Sequence, residues 1–498
     1  MEANRRDFLK GTAWMGAAAV AAGCASKQLK IAGIGGSMQG FAAPAIKKIR
    51  VGCVGLGMRG PGAVHRLANI PGVEVRALCD IYPERVEKQQ DWLKKNGKPA
   101  ARSYVGAEAY KAMCESDDID VIYNTTSWDM HAPIGVYAMD HGKHVMIEVP
   151  SAFTVEECWA LVEASERNKK HCMQLENCCY GEAEMLCLNL VRNGMLGDIV
   201  HGEAAYIHDL RALCYEDWAP ANVEWDKPNT GYADYWRLRH NAKHKGNQYD
   251  THGLGPVCEY MNINRGDRLD YLVSLESNQF NFEAFAKRKF PQHSWKDSLK
   301  VEMGDMNTTL VKTVMGKSIM IQHDVSSPRP YSRLNVCTGT KGIFNGISFA
   351  SKPEDALTLG NVCHFGWEEN CGGGAHKYFD MKKTEEIRQK YKHPLWKKAG
   401  ELAQRIGGHG GMDFLMDLRW CYCLQNGLPL DTDVYDLASW CCLAELSEKS
   451  VRNRSNSMDI PDFTNGGWKT AKPLGIVDID LSKLDFKDIK TDNTALNV

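Results

Sequence analysis

Lys48-Ile-Arg-Val-Gly-Cys-Val-Gly-Leu-Gly-Met-Arg-Gly60 reads as a short β-branched strand running straight into a turn with glycines at Gly55, Gly57 and Gly60. A helical pattern from Ala63 to Ile70 follows it. In this G-x-G-x-x-G spacing the first glycine allows the tight bend, the second lets a pyrophosphate approach the backbone, and the third lets helix and strand pack closely. The open helix N-terminus then offers unpaired N–H groups to phosphate. With 45 glycines in 498 residues the spacing alone is weak. A second apolar strand, Val73-Glu-Val-Arg-Ala-Leu-Cys79, strengthens it by ending at Asp80, where a carboxylate can take both hydroxyls of an adenosine ribose. A carboxylate there repels a 2′-phosphate, so the expected cofactor is NAD rather than NADP.

Upstream, Asn4-Arg5-Arg6-Asp7-Phe8-Leu9-Lys10 precedes a mildly apolar Ala/Gly-rich run to Gly23. Paired arginines before a short, weakly hydrophobic stretch predict a twin-arginine export signal rather than a membrane span. Ala21-Ala-Gly-Cys24 resembles a lipoprotein cleavage site, with Cys24 as the lipidated residue; simple cleavage near Ala43 is the alternative. The expected location is the periplasm or, through a lipid anchor, the membrane surface of a bacterium. Residues 1–45 are set aside as signal and linker.

The remaining composition, 44% hydrophobic and 24% charged, is ordinary for a globular chain, and a formal charge of −2 gives no footprint for nucleic acid. The 18 cysteines include adjacent pairs such as Cys178-Cys179 and Cys441-Cys442, which do not form a disulfide framework. Folding under reducing conditions before export would leave most as small buried apolar residues, and no Cys/His spacing resembles a zinc site.

After Asp80, helical patterns (Pro83 to Lys95, Ala107 to Glu115, Pro133 to His141) alternate with apolar strands (Asp120 to Asn124, His144 to Glu148). Such alternation predicts a doubly wound parallel sheet of the Rossmann kind over residues 46–170, with ligands beyond the carboxyl ends of its strands. Thr125-Thr-Ser-Trp-Asp-Met-His131 and Glu148-Val-Pro150 lie at those ends. Residues 171–498 read as an α+β domain with a mostly antiparallel open sheet. A helix at Val155 to Lys169 leads into it, and it has a helix at Glu182 to Asn193 and strands at Ile199 to His208, Leu269 to Ser277, Asn307 to Val314 and Ser318 to Val325. Met315-Gly316 forms a short turn between the last two, and helices from His409 to Asn426 and Asp433 to Arg452 are expected to pack back on the first domain.

The order of glycine turn, acidic strand end, Thr-Thr segment and Glu148-x-Pro150 resembles the glucose-fructose oxidoreductase and inositol dehydrogenase (Gfo/Idh/MocA) superfamily. Members usually carry Glu-Lys-Pro, the lysine relaying a proton, and here Val149 stands in its place and cannot carry one. Glu-Val-Pro together with Leu175-Glu-Asn-Cys-Cys-Tyr180, Val191-Arg-Asn-Gly-Met-Leu-Gly197, Ala205-Tyr-Ile-His-Asp-Leu-Arg211 and Tyr235-Trp-Arg-Leu-Arg-His-Asn241 resembles glycoside hydrolase family 109, the NAD-dependent α-N-acetylgalactosaminidases. Gly246-Asn-Gln-Tyr-Asp-Thr-His-Gly-Leu-Gly-Pro256, Met261-Asn-Ile-Asn-Arg-Gly266, Ser327-Pro-Arg-Pro-Tyr-Ser332 and His409-Gly-Gly-Met-Asp413 extend the likeness.

The resemblance implies NAD contacts at Met58, Arg59, Asp80, Trp128, Asp129, Met130, His131, Glu148, Val149 and Asn177. It implies sugar contacts at Tyr206, Arg237, Tyr249, Asp250, Thr251, His252 and Tyr331, with Tyr249 touching both ligands. Asp250 replaces a proline usual in the family, and either loosens the turn that aims His252 or adds a sugar contact.

It also implies a redox route to hydrolysis: oxidation at C3 of the sugar, loss of the acidified C2 proton, departure of the aglycone from C1, addition of water, and reduction by the same, tightly held nicotinamide. Such a route needs acid–base groups and oxyanion donors instead of the usual carboxylate pair. The expected proton-handling groups are His252 and Tyr249, with Tyr180 as a further candidate. Arg237 and Tyr331 position the sugar, and no metal is required.

The expected partners are a glycan or glycoconjugate bearing N-acetylgalactosamine and, through the outer face of the second sheet, a second copy of the chain. Two alternatives remain open: an NAD(P)-dependent sugar or inositol oxidoreductase of the same superfamily, and a non-catalytic sugar-binding lipoprotein that retains NAD.

Overall fold

The computed structural model describes residues 36–215, 235–290, 294–346, 363–368, 377–484 and 486. The twin-arginine segment and Cys24 lie outside the described residues.

Six parallel strands form the first sheet: β1 (Ile49–Val54), β2 (Val73–Asp80), β3 (Arg102–Val105), β4 (Val121–Asn124), β5 (His144–Ile147) and β6 (Cys172–Gln174). Their order is β3-β2-β1-β4-β5-β6, with the reversal of winding between β1 and β4. That reversal opens a crevice at the carboxyl edge, where the glycine turn sits. Strand β6 pairs with β5 and belongs to this sheet, so the first domain runs to about Leu175 rather than ending at residue 170. Central strands β1, β4 and β5 are buried on both faces, which is why they read as continuous apolar runs.

The second sheet has eight strands: β7 (Ile199–Ile207), β8 (Leu269–Glu276), β9 (Asn307–Thr313), β10 (Ser318–Asp324), β11 (Ser332–Gly339), β12 (Gly342–Asn345), β13 (His364–Trp367) and β14 (Met458–Asp459). Their order is β13-β12-β11-β7-β10-β9-β8-β14, antiparallel except for the β7–β10 pair. The hairpin between β9 and β10 turns on Gly316, whose φ of +93° suits glycine.

Two C-terminal helices join the sheets. The helix Val434–Arg452 starts in a capping box between Asp433 and Asp436 and packs on the helix Val155–Asn168 and on β8. The helix Met412–Asn426 is buried from Met412 through Gln425, so its charged residues need internal partners. They have them. Asp417 accepts from Arg66 Nε at 2.7 Å and from the Tyr123 hydroxyl at 3.0 Å, and Arg419 is bidentate to Asp431 at 2.6 and 3.0 Å. The same helix therefore grips the helix Gly60–Leu67 that follows the glycine turn.

All 16 described cysteines are buried thiols. Among the described residues, no helix is long and apolar enough to cross a membrane.

One buried acid makes stability depend on pH. Burial first, then Asp431 and Asp436, push the Glu259 carboxyl up to about 8, against the opposing charges of Arg265 and Arg192. Above its ordinary value of 4.5 the unfolded chain releases a proton that the folded chain still holds, so stability at this site declines as pH rises from there to about 8. Glu259→Gln should stabilise the fold at about pH 9, by an amount on the order of 5 kcal/mol, and so raise the thermal unfolding midpoint there while changing it little at about pH 5. Equal shifts at both pH values would contradict this assignment.

Candidate active site

The glycine turn is built as a phosphate cradle. Gly55 has φ +84°, and a Cβ there would stand 2.6 Å from the Thr125 backbone; a Cβ at Gly60 would stand 2.1 Å from the Gly55 oxygen. Gly57 has only Arg85 nearby, at 3.7 Å, leaving room for a ligand against its backbone. No side chain caps the helix that begins at Gly60. Asp80 is buried at the end of β2, accepting from the Leu56 amide at 2.6 Å and the Tyr82 amide at 3.0 Å. These groups fit a dinucleotide: an uncapped helix terminus, glycines at three positions of the turn, and a carboxylate at the end of the neighbouring strand.

Beyond the sheet edge, His131 ties two loops together. Its ring nitrogens lie 2.8 Å from the Pro150 carbonyl and 2.9 Å from the Thr126 carbonyl, and the ring is buried between those loops. Trp128 packs against Phe153 and Trp236, while Asp129 and Met130 complete the short helical turn beside it. Glu148 binds Arg59, its Oε1 lying 3.1 Å from Arg59 Nη2, and Val149 precedes the cis peptide to Pro150. Met58 is exposed on the turn.

The second domain brings Tyr249 and His252 to this cleft at the start of the helix Thr251–Met261. A Cβ at Gly253 would stand 2.4 Å from the Ala205 amide nitrogen, so glycine lets the helix lie against β7 and sets His252 and Tyr206 at a ring distance of 5.5 Å. His252 Nδ1 lies 2.6 Å from Glu176 Oε1, and its Nε2 lies 3.2 Å from the Tyr249 hydroxyl. Burial alone would raise the Glu176 carboxyl, but His252 and the Cys178 amide hold it below the ordinary range, so it stays an anion. The anion fixes Nδ1–H as donor and leaves Nε2 to accept from Tyr249. Burial, with Tyr206, Glu176 and Glu148 adding to it, pushes the Tyr249 phenol well up, so that it stands as a neutral hydroxyl rather than a phenolate.

Arg237 stacks between aromatic faces, 5.0 Å from the Trp128 ring centre and 4.9 Å from that of Tyr249. Tyr206 bonds His208 Nδ1 at 3.1 Å, and Tyr331 accepts from Arg333 Nη1 at 3.2 Å. Burial and the Arg237 charge push the His208 imidazole down to about 4, so it is neutral at working pH and accepts from Tyr206.

A third element completes the site. Gly407, Gly408, Gly410 and Gly411 all have φ between +69° and +104°, and His409 itself has φ +45°. A non-glycine residue held in that region stores strain, and such strain gathers at functional positions. Here it aims His409 Nδ1 at Asp413, 3.0 Å away, with Arg59 Nη1 at 3.3 Å. The His409 side chain keeps about a third of its surface exposed, while Asp413 beneath it is fully buried.

A family model described as "Glycosyl hydrolase 109, C-terminal domain" matches residues 180–470, and one described as "Oxidoreductase family, NAD-binding Rossmann fold" matches residues 49–175. The chain is 44% identical over 487 residues to a glycosyl hydrolase family 109 protein of Shewanella pealeana, covering 96% of this chain and 100% of that one. It is 47% identical over 429 residues to glycosyl hydrolase family 109 protein 1 of Bacteroides thetaiotaomicron, covering 85% and 86%. The chain belongs to glycosyl hydrolase family 109. An oxidoreductase domain protein from Kribbella flavida shares its fold at TM-score 0.61 and 18% identity, over 84% of this chain and 100% of that one. The WlbA dehydrogenase from Bordetella pertussis, in complex with NADH and UDP-GlcNAcA, does so at TM-score 0.56 and 14% identity, over 84% and 100%.

In this family 109 member three expected side chains sit elsewhere than the sequence reading placed them. The Tyr180 hydroxyl donates to Asp431 at 2.9 Å, inside the pair that Asp431 makes with Arg419, and is engaged there rather than with His252. Asp250 and Thr251 are 1% and 0% exposed, so neither side chain reaches the cleft to touch a sugar. Burial pushes the Asp250 carboxyl well up, keeping it neutral under the loop.

Glu176, His409 and Asp413 had no role assigned from sequence. Glu176 and Asp413 are buried carboxylates, each beside one imidazole, and the glycine run around His409 was the visible signal. Glu176, Cys178 and His252 also place three ligand-type atoms within 4.8 Å of one another.

Proposed function

We propose that this family 109 chain is an exported glycosidase that releases terminal α-N-acetylgalactosamine from glycoconjugates, holding NAD through the whole cycle and using no metal. The observation that carries the reading is the pair of carboxylate-held imidazoles, Glu176–His252 and Asp413–His409. Hydrolysis by the usual route needs two carboxylates free to act on the glycosidic oxygen and on C1. Here Glu148, Glu176 and Asp413 are each bound to an arginine or an imidazole, which makes them orienting groups.

When bound, NAD supplies reversible oxidation of the sugar at C3. His252 takes the C3 hydroxyl proton, through the Tyr249 oxygen or directly, and Glu176 stabilises the imidazolium that forms. Removal of the C2 proton is a further base step in the same cleft. Arg237 and Tyr331 offer donors to oxygens that gain charge as C2 is deprotonated, and Tyr206 packs its ring beside them. His409, oriented by Asp413, protonates the departing C1 oxygen and then takes a proton from the entering water. The sugar identity, the export route and the lipid anchor at Cys24 rest on the sequence likeness.

A homodimer through the second sheet is supported by its outer face, where Tyr271, Leu275 and Leu310 are exposed on adjacent strands. A panel of nitrophenyl glycosides tests the activity: nitrophenol should be released from the α-N-acetylgalactosaminide with no net change in nicotinamide absorbance. Accumulation of NADH with a free sugar, and no nitrophenol, would move the chain to the oxidoreductases.

A further inference from the structure

Asp413 lies in the first turn of the Met412–Asn426 helix, is fully buried, and is the meeting point of groups from four segments of the chain. Its Oδ1 accepts from Asn177 Nδ2 at 2.5 Å; its Oδ2 lies 3.2 Å from Arg59 Nη2, 3.6 Å from Arg66 Nη1 and 3.0 Å from His409 Nδ1. Burial alone would raise this carboxyl, yet His409, Arg59 and Arg66 together hold it well below the ordinary range, so it remains an anion. Arg59 is the residue immediately before the helix that opens the phosphate cradle, and Asn177 lies just past β6 at the sheet's carboxyl edge. One side chain of the C-terminal helix therefore fixes a group at the glycine turn and a group on the far side of the crevice.

We propose that Asp413 is a positioning residue that latches the cofactor in place, holding Arg59 and Asn177 across the dinucleotide crevice so that NAD stays bound from one turnover to the next. The inference rests on the reading that NAD is retained and recycled. Charge-assisted bonds of this kind are the strong ones, and a latch built from three of them closes the crevice without touching the reacting sugar. Asp417, one turn along the same helix, supplies a control. It is equally buried and bound more closely to Arg66, at 2.7 Å against 3.6 Å, but among the described residues it makes no bond to Arg59 or Asn177.

The test compares holoenzymes of wild type, Asp413→Asn, Asp417→Asn and Asn177→Ala, chasing bound NAD with an excess of isotopically labelled NAD. Asp413→Asn should release NAD at least about tenfold faster than wild type. Asn177→Ala, which leaves the buried charges compensated, should release it several-fold faster, and Asp417→Asn should release it at the wild-type rate although it unfolds at a lower temperature. Saturating NAD should restore part of the hydrolysis lost in Asp413→Asn, which a merely structural defect would not allow. NAD release from Asp413→Asn at the wild-type rate, or from Asp417→Asn as fast as from Asp413→Asn, would overturn the latch. If Asp413→Asn does not fold, wild-type release from Asn177→Ala does the same. A wild type that itself exchanges NAD within a turnover would remove the recycled-cofactor reading, and the latch with it.

Discussion

Replacing His252 by alanine is expected to lower hydrolysis about a thousandfold while leaving NAD bound. The imidazole is the only titratable ring bonded to Tyr249 among the described residues, and its other nitrogen is committed to Glu176 at 2.6 Å. Removing the ring leaves the Tyr249 phenol, which burial holds protonated, with no acceptor for its proton. Glu176→Gln should show a graded version of the loss, about a hundredfold, because an amide neither stabilises the imidazolium nor fixes the Nδ1–H tautomer. The check is kcat on a nitrophenyl glycoside beside NAD content per chain. Full activity in His252→Ala would remove the base from this account, and loss of NAD in step with activity would make His252 a cofactor ligand.

Replacing His409 by alanine should cost about a hundredfold on a nitrophenyl glycoside and more on an alkyl glycoside, whose leaving oxygen needs a proton more urgently. Glycines of positive φ on both sides hold the ring against Asp413, the arrangement Glu176 gives to His252 from another element. Rates for a series of aglycones, plotted against the acidity of the leaving alcohol, decide it. A steeper dependence in the variant assigns His409 the departing oxygen; a parallel line would place its role in another step.

Much of the first domain was legible because its signals are local. Glycines at Gly55, Gly57 and Gly60 and an acid at Asp80 are dictated by the bend, the close packing of helix on strand, and the ribose, all within one βαβ unit. Strand β6 escaped notice because Cys172-Met-Gln is only three residues long, and β3 because its residues Arg102–Val105 are largely exposed and carry no apolar alternation. In the site, His252, Tyr249, Arg237 and Tyr206 could be proposed from the motif likeness, but their partners could not. Glu176 is 76 residues from His252, and Asp413 is 354 from Arg59, so only the folded chain shows which carboxylate orients which ring. Tyr180 misled for a related reason: its neighbours in sequence belong to the cleft, while its hydroxyl bonds Asp431 in the C-terminal segment. Asp250 and Thr251 misled because adjacent positions at a helix start point in different directions, and of these four residues only Tyr249 and His252 turn their rings toward Tyr206.

The central claim is that glycosidic cleavage passes through loss of the proton on C2, made acidic by oxidation next to it. Turnover in heavy water, followed by mass or NMR analysis of the released sugar, tests this most directly. The account predicts one deuterium at C2 in every sugar released and none in unreacted glycoside that never entered the cycle. Product carrying only protium at C2 would mean that C1 is attacked directly, and the redox reading of this cleft would be wrong.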